Sequence, residues 1–133
     1  MKNLPEAWKA MLQKPVFVHL ATLMPDGSPQ TSAVWVDLDG DRILVNSALG
    51  RIKDQNVRRD PRVGLSVVDP DNPYKTLSLR GCVVEITTQG ADDSVDRLAK
   101  KYLGKDKYPG RAPGEVRVIY RIEPVAYRAF DYS

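Results

Sequence analysis

The chain has 133 residues, 42% of them hydrophobic and 28% charged, the proportions of one ordinary globular domain. A net charge of +3 and a pI near 9.0 suit an anionic ligand but are too weak to argue for nucleic acid. Cys82 is the only cysteine, which excludes an intrachain disulfide and a cysteine-built metal site. No apolar run is long enough to span a bilayer and the N-terminus lacks the pattern of a signal peptide, so a reducing cytoplasm is the expected compartment.

Pro5 to Gln13 reads as a short helix, with Leu4, Trp8, Met11 and Leu12 on one face. Val16 to Met24, bounded by Pro15 and Pro25, is a compact apolar run rich in β-branched residues and predicts a buried strand. Pro25-Asp26-Gly27-Ser28 supplies hairpin chemistry, and Gln30 to Leu38 follows as a second strand. Asp39-Gly40 closes another hairpin before a third strand, Arg42 to Asn46. A Ser/Gly turn and a short cationic helix come next, stopped at Asp60-Pro61, and then a fourth strand, Val63 to Val68. Residues 69–73 form a loop with two prolines. Tyr74 to Thr88 is a long strand that must bend or bulge near Gly81. Asp92 to Leu103 is an amphipathic helix with Val95, Leu98, Ala99 and Tyr102 on one side. Gly104 to Gly114 is a flexible basic loop, and Val116 to Phe130 is the closing strand. Six strands, early hairpins and no βαβ repeat predict one mainly β domain, residues 1–133, whose antiparallel sheet closes toward a barrel with peripheral helices.

The stretch Asn46 to Val67 is the most informative. Arg51, Lys53, Arg58, Arg59 and Arg62 are opposed there only by Asp54 and Asp60. Ser47 and the turn amides precede a helix N-terminus, where unsatisfied N–H groups and the helix dipole favour an anion. Arg51 and Lys53 add charged donors at the same point, which suits the phosphate of a small ligand. A solvated basic helix has the same composition.

Catalytic motifs are missing. There is no Gly-x-Gly-x-x-Gly, no P-loop and no paired His or Cys pattern. His19, the only histidine, lies in the apolar first strand and reads as a satisfied core residue. Asp92-Asp93 and Asp37-Asp39 suit capping and turn roles. With no nucleophile-and-base constellation, an enzyme built on this chain would bind and orient a cofactor that carries the chemistry.

The chain resembles the pyridoxamine 5′-phosphate oxidase-like split β-barrel flavoproteins, and within them the small enzymes that use the deazaflavin coenzyme F420. The resemblance is carried by V-F-V-H-L-A-T-L-M-P-D-G-S-P-Q-T-S-A-V-W-V, by I-L-V-N-S-A-L-G-R-I-K-D-Q-N-V-R-R-D-P-R-V-G-L-S-V, and by an aromatic-proline loop before Leu77-Ser78-Leu79-Arg80-Gly81. It implies a six-stranded antiparallel split barrel of the FMN-binding type. It also implies that Gln30, Thr31, Ser32, Val34 and Trp35 run along the ring system of the cofactor. Ser47, Arg51 and Lys53 match the family's phosphate-binding turn and helix start, with Asn56 as a helper. Tyr74 and Leu77 fall where such proteins cover the cofactor, often from a neighbouring subunit, and Tyr127 and Phe130 are further wall candidates. Periodicity alone favours an alternating half-buried strand with no ligand over a cofactor-lining one. The chain lacks the C-terminal Arg-and-His segment of typical pyridoxamine phosphate oxidases, which argues against vitamin B6 oxidation.

The expectation is an oxidoreductase that binds coenzyme F420 and passes hydride to an unsaturated or quinone-like small-molecule acceptor. The alternatives are an FMN enzyme of the same fold and a non-catalytic flavin or deazaflavin carrier. A six-stranded barrel of 133 residues has little interior for a tricyclic ligand, so a homodimer with the cofactor at the subunit boundary is expected, with no nucleic-acid or membrane partner.

Overall fold

The computed structural model describes residues 2–132, so the outermost residue at each end of the expected domain lies outside the described residues. Three helices and seven strands follow in chain order: α1 (Glu6–Gln13), β1 (Val18–Leu23), β2 (Pro29–Val34), β3 (Val36–Asp39), β4 (Arg42–Ala48), α2 (Ile52–Arg59), β5 (Arg62–Asp69), β6 (Asn72–Thr87), α3 (Ala91–Leu103) and β7 (Arg117–Asp131). The strands form one antiparallel sheet in the order β2-β1-β5-β6-β7-β4-β3. The fold is the mainly β split barrel that the sequence predicts, with one strand more.

The extra strand has a specific origin. The expected strand from Gln30 to Leu38 breaks at Trp35. Its first part pairs with β1 (Val34 opposite Val18) and its second with β4 (Val36 opposite Val45). β2 and β3 are thus the two edges of the sheet, yet a single residue joins them. The sheet must therefore curl until its edges meet at Trp35, closing a barrel without hydrogen bonds across the seam.

A second boundary differs as well. The predicted two-proline loop shrinks to Pro70-Asp71, because Asp69 already pairs with Asn72 and its carboxylate accepts the Asp71 N–H at 2.9 Å.

Strand alternation fills the interior. Val18 and Leu20 of β1, Val45 of β4, and Val118, Tyr120 and Ile122 of β7 are all at most 1% exposed. Trp8, Met11 and Leu12 of α1 pack into the same core. Alternation also corrects the reading of His19. Val18, Leu20 and Thr22 point inward, so His19, between Val18 and Leu20, is exposed on the outer face, opposite Ala33 and Ser66. An apolar run is not a strand buried on both faces.

The irregularity expected near Gly81 is present, with register shifts at Arg80/Gly81 and Val83/Glu85 where β6 pairs with β7. A Cβ on Gly81 would meet Ile122 Cγ2 at 2.7 Å and the Glu123 carbonyl oxygen at 3.1 Å. Ile122 is fully buried and has no free space to retreat into. Gly81→Ala is therefore expected to destabilise the fold by about 1–3 kcal/mol, the scale of core overpacking, measured as the shift in a urea midpoint against wild type.

Candidate functional site

The site begins with a buried carboxylate. Asp54, in the first turn of α2, is 1% exposed. Its Oδ1 accepts the Tyr120 hydroxyl at 2.8 Å, and its Oδ2 accepts the Gly50 N–H at 3.0 Å and Arg58 Nε at 3.1 Å. Burial raises the pKa of this carboxyl, but the Gly50, Arg58 and Tyr120 bonds together outweigh it and hold the group below the usual carboxylate range. Tyr120 moves the other way, its phenol pushed well up by burial and by the adjacent Asp54 charge. Three bonds from turn, helix and strand thus pin the start of α2 to the barrel wall.

With the helix start fixed, Arg51 and Lys53 project beside it into a cleft of about 210 Å³. The cleft is lined by Ala33, Val34 and Trp35 from the β2–β3 seam, Asn46 from β4, Val95 and Leu98 from α3, Tyr108 from the following loop, and Arg117 from β7. Lys53 is half-buried, and among the described residues no ion-pair partner is found for it. Burial, then the neighbouring Arg51 and Arg117 charges, lowers its pKa. Arg117, at 5% exposure, donates from Nε to Asn46 Oδ1 at 2.8 Å and from Nη1 to Glu115 Oε1 at 2.7 Å. Its guanidinium lies 5.2 Å from the centre of the Tyr108 ring. Arg51 reaches the other Glu115 oxygen at 3.5 Å. Two of the three cations thus share one carboxylate, and Lys53 has none, at the first turn of a helix whose leading N–H groups have no intrahelical acceptor.

The aromatic wall is rigid. Trp35 stacks on Tyr102 at 5.0 Å and meets Tyr108 edge-on at 5.9 Å. Tyr102 is anchored through its hydroxyl, which donates to the Val16 carbonyl at 2.7 Å and accepts the Val36 N–H at 3.0 Å. Asp96 ties the Tyr108 loop to α3, accepting the Tyr108 N–H at 2.9 Å and Arg111 Nη2 at 3.0 Å.

Of the residues singled out from sequence, the structure brings Val34, Trp35, Arg51 and Lys53 together in this cleft. Gln30, Thr31 and Ser32 lie further along β2. Thr31 faces outward, Gln30 is half-buried and accepts from Thr22 Oγ1, and Ser32 Oγ is buried without a hydrogen-bond partner. Ser47 is fully buried on the barrel side of β4, close to the Tyr120 hydroxyl but without a hydrogen bond of good geometry. Asn56 is buried too, donating to Thr22 Oγ1 and accepting from Arg59. Leu77 belongs to the core, and Tyr74 stands exposed at the start of β6.

The other cations of the basic stretch are committed elsewhere: Arg58 to Asp54, Arg59 to Asn56, and Arg62 to Asp60. Sequence reasoning missed Asn46, Tyr108, Glu115 and Arg117. The signal for two of them was register. Ala48 pairs with Arg117 and Asn46 with Ile119, which puts Asn46 and Arg117 on the face opposite Ser47 and Tyr120.

A family profile described as pyridoxamine 5′-phosphate oxidase matches residues 4–130, and the chain belongs to that family. A solved structure described as an F420 reductase is 35% identical, with 94% of this chain and 98% of that chain covered and a TM-score of 0.82. A conserved hypothetical protein from Mycobacterium tuberculosis shares the fold at 24% identity, with 98% and 90% covered and a TM-score of 0.74. A pyridoxamine 5′-phosphate oxidase-related, FMN-binding protein from Nostoc punctiforme does so at 14% identity, with 97% and 86% covered and a TM-score of 0.68.

The Asp54 cluster generates a pH prediction. A carboxyl whose folded pKa is depressed contributes stability above its unfolded pKa, and that contribution is lost as pH falls through the folded value. Asp54→Asn should cost roughly 2–4 kcal/mol at neutral pH. It should also flatten the loss of stability in acid, read from denaturation midpoints between about pH 2 and 7.

Proposed function

We propose that this chain is an oxidoreductase that binds the deazaflavin coenzyme F420 and passes hydride to an unsaturated or quinone-like acceptor. The observation that carries the reading is the uncompensated charge of the cleft: half-buried Lys53, with Arg51 and Arg117 beside it, at the start of α2. An ammonium with its pKa lowered by burial and then by two guanidinium neighbours is a poor structural element but, with those neighbours, a good phosphate donor set. The 35% identity to a protein described as an F420 reductase supports the choice of the deazaflavin over FMN.

The residues divide the work. Arg51, Lys53 and Arg117 hold the phosphate, and an anion there returns the Lys53 ammonium toward its ordinary range. Thr31, Ser32 and Ala33 of β2, beside the Trp35–Tyr102 stack, would hold the ring. Bound in that position, the deazaflavin supplies the hydride. The chain contributes orientation and exclusion of water, with no side chain required to titrate during the step.

A cleft of about 210 Å³ accepts a phosphate and the first atoms of a ligand but not a tricyclic ring, so a second surface must cover the ring. We assign that cover to a second copy of this chain, docked on the outer face of β1, β2 and β5. That face carries mostly short side chains, among them Ala21, Thr31, Ala33, Gly64 and Ser66. Exposed Tyr74 and the stacked Phe130–Tyr132 pair lie at its margin as cover for the partner's ring. The acceptor enters between the two copies. Light scattering at micromolar concentration is expected to return twice the 14.9 kDa chain mass; a monomer would remove the cover.

Fluorescence titration of the apoprotein with coenzyme F420 and with FMN tests the binding reading. Saturable, tighter binding of F420 is expected, and binding of neither would overturn it. Arg51→Ala and Lys53→Ala should each weaken binding by about 1.5–3 kcal/mol, the scale of a charge-assisted hydrogen bond. Arg58→Ala should leave affinity within roughly twofold, since its guanidinium serves Asp54. Equal losses at Arg51 and Arg58 would mean that the phosphate lies elsewhere.

A further inference from the structure

We infer that Glu115 is the charge-selecting residue of the cleft: it narrows the advantage of a doubly charged phosphate monoester and so lets a singly charged phosphodiester compete. The inference rests on the reading above, in which the cleft holds the phosphate of a flavin-like cofactor.

Glu115 stands between two of the three cations, 2.7 Å from Arg117 and 3.5 Å from Arg51, with its side chain only 11% exposed. The two contacts are not alike. The Arg117 bond is short, and that guanidinium is itself fixed by Asn46, whose own amide donates to the Ala91 carbonyl at 2.8 Å. The Glu115 N–H is tied to the Ala112 carbonyl at 3.1 Å, so the backbone is held as well. The Arg51 contact is long, and the Arg51 side chain is 45% exposed. An arriving anion can therefore draw Arg51 to itself, but it cannot sweep Glu115 away. The carboxylate stays behind the cleft wall, bonded to two of its cations and close enough for its charge to act on an anion held there.

A fixed negative charge acts on a ligand in proportion to the ligand's own charge. Glu115 therefore penalises a dianion twice as strongly as a monoanion, while its hold on Arg117 keeps the donor set assembled for both. A phosphate monoester such as that of FMN is a dianion in mildly alkaline solution. The phosphodiester that links a deazaflavin to its acidic tail is a monoanion. Without Glu115 the three cations would favour the monoester more strongly; with it, two positive charges remain in excess and the diester competes.

The test varies ligand charge and holds the ring constant. The full chain and Glu115→Gln are titrated at pH 8 and fixed ionic strength with three ligands: the 5′-phosphate, its monomethyl ester and the uncharged riboflavin-type parent. The ring is flavin or 5-deazaflavin, whichever wild type holds more tightly. Glutamine keeps an oxygen for Arg117 while removing the charge. The expected result for Glu115→Gln is about tenfold tighter binding of the dianionic 5′-phosphate, about threefold for its singly charged methyl ester and no change for the neutral parent. Equal changes for the two anions, or weaker binding of both, would overturn the inference and make Glu115 a brace for Arg117 alone. Should the glutamine variant not fold, Glu115→Ala is read by the same ordering. If wild type binds neither anion better than the neutral parent, the phosphate reading falls and takes this inference with it. Wild-type preference for the anions with an unmoved ratio sinks this inference alone.

Discussion

Everything at the cleft depends on the anchoring of Asp54, above all on the Gly50 N–H and Tyr120 hydroxyl bonds that it accepts. The first turn of α2 cannot fix its own position, because its leading N–H groups have no intrahelical partners and Arg51, at the N-cap, makes no side-chain cap bond. Asp54 substitutes for the missing cap. It takes the Gly50 N–H of the preceding turn, the Tyr120 hydroxyl from the barrel interior and the Arg58 guanidinium one turn along the helix. Gly50, at φ of 89°, lets the chain reverse tightly enough for its N–H to reach that carboxylate. Turn, helix and barrel are thus tied at one buried group, and Arg51 and Lys53 are carried to the same side of it.

That arrangement separates two kinds of positive charge which composition cannot distinguish. Arg58 and Arg59 neutralise or satisfy groups of their own helix, and Arg62 pairs with Asp60 in the following turn. These are structural cations. Lys53 is different, because its surroundings lower its pKa and it finds no carboxylate among the described residues. Charge left uncompensated in a half-buried place costs stability, and such sites persist where a ligand repays the cost. The cleft also has a chemical bias. Backbone N–H, guanidinium and ammonium groups donate only, so the group that best completes it is an acceptor carrying negative charge.

The barrel was legible in the sequence because turn chemistry and alternation agreed. Pro25-Asp26-Gly27-Ser28 marks its hairpin, with Ser28 bonded to Asp26 Oδ1, and Val118, Tyr120 and Ile122 alternate into the core. What could not be read was the seam. A single residue, Trp35, separates a strand that pairs with β1 from one that pairs with β4, at opposite ends of the sheet, and no local signal marks that change of partner. The outward position of His19 is not legible in its apolar run, because this sheet leaves one face of β1 open. At the site, Arg51 and Lys53 were legible from a contiguous basic stretch. Arg117 was not, because its role depends on a pairing register that joins it to Ala48 across 69 residues of chain.

The seam also links the fold to the chemistry. The residues flanking Trp35 must satisfy two different strands at once, so the backbone there is held from both edges of the sheet. The indole is then trapped between Tyr102, itself bonded to Val16 and Val36, and Tyr108, which Asp96 ties to α3. A wall built this way has few alternative rotamers and loses little conformational entropy when a flat ring is laid against it. The opposite wall gains its rigidity electrostatically, through Asp54 beneath the helix and Glu115 beside Arg117. Preorganisation of both walls suits the hydride transfer proposed above, in which orientation of the reacting carbons would be the protein's main lever on rate. The constraint that closes the barrel is therefore also the one that shapes the cleft. A substitution at Trp35 would disturb closure and ligand placement together, while one at Lys53 would touch the ligand and leave the barrel intact.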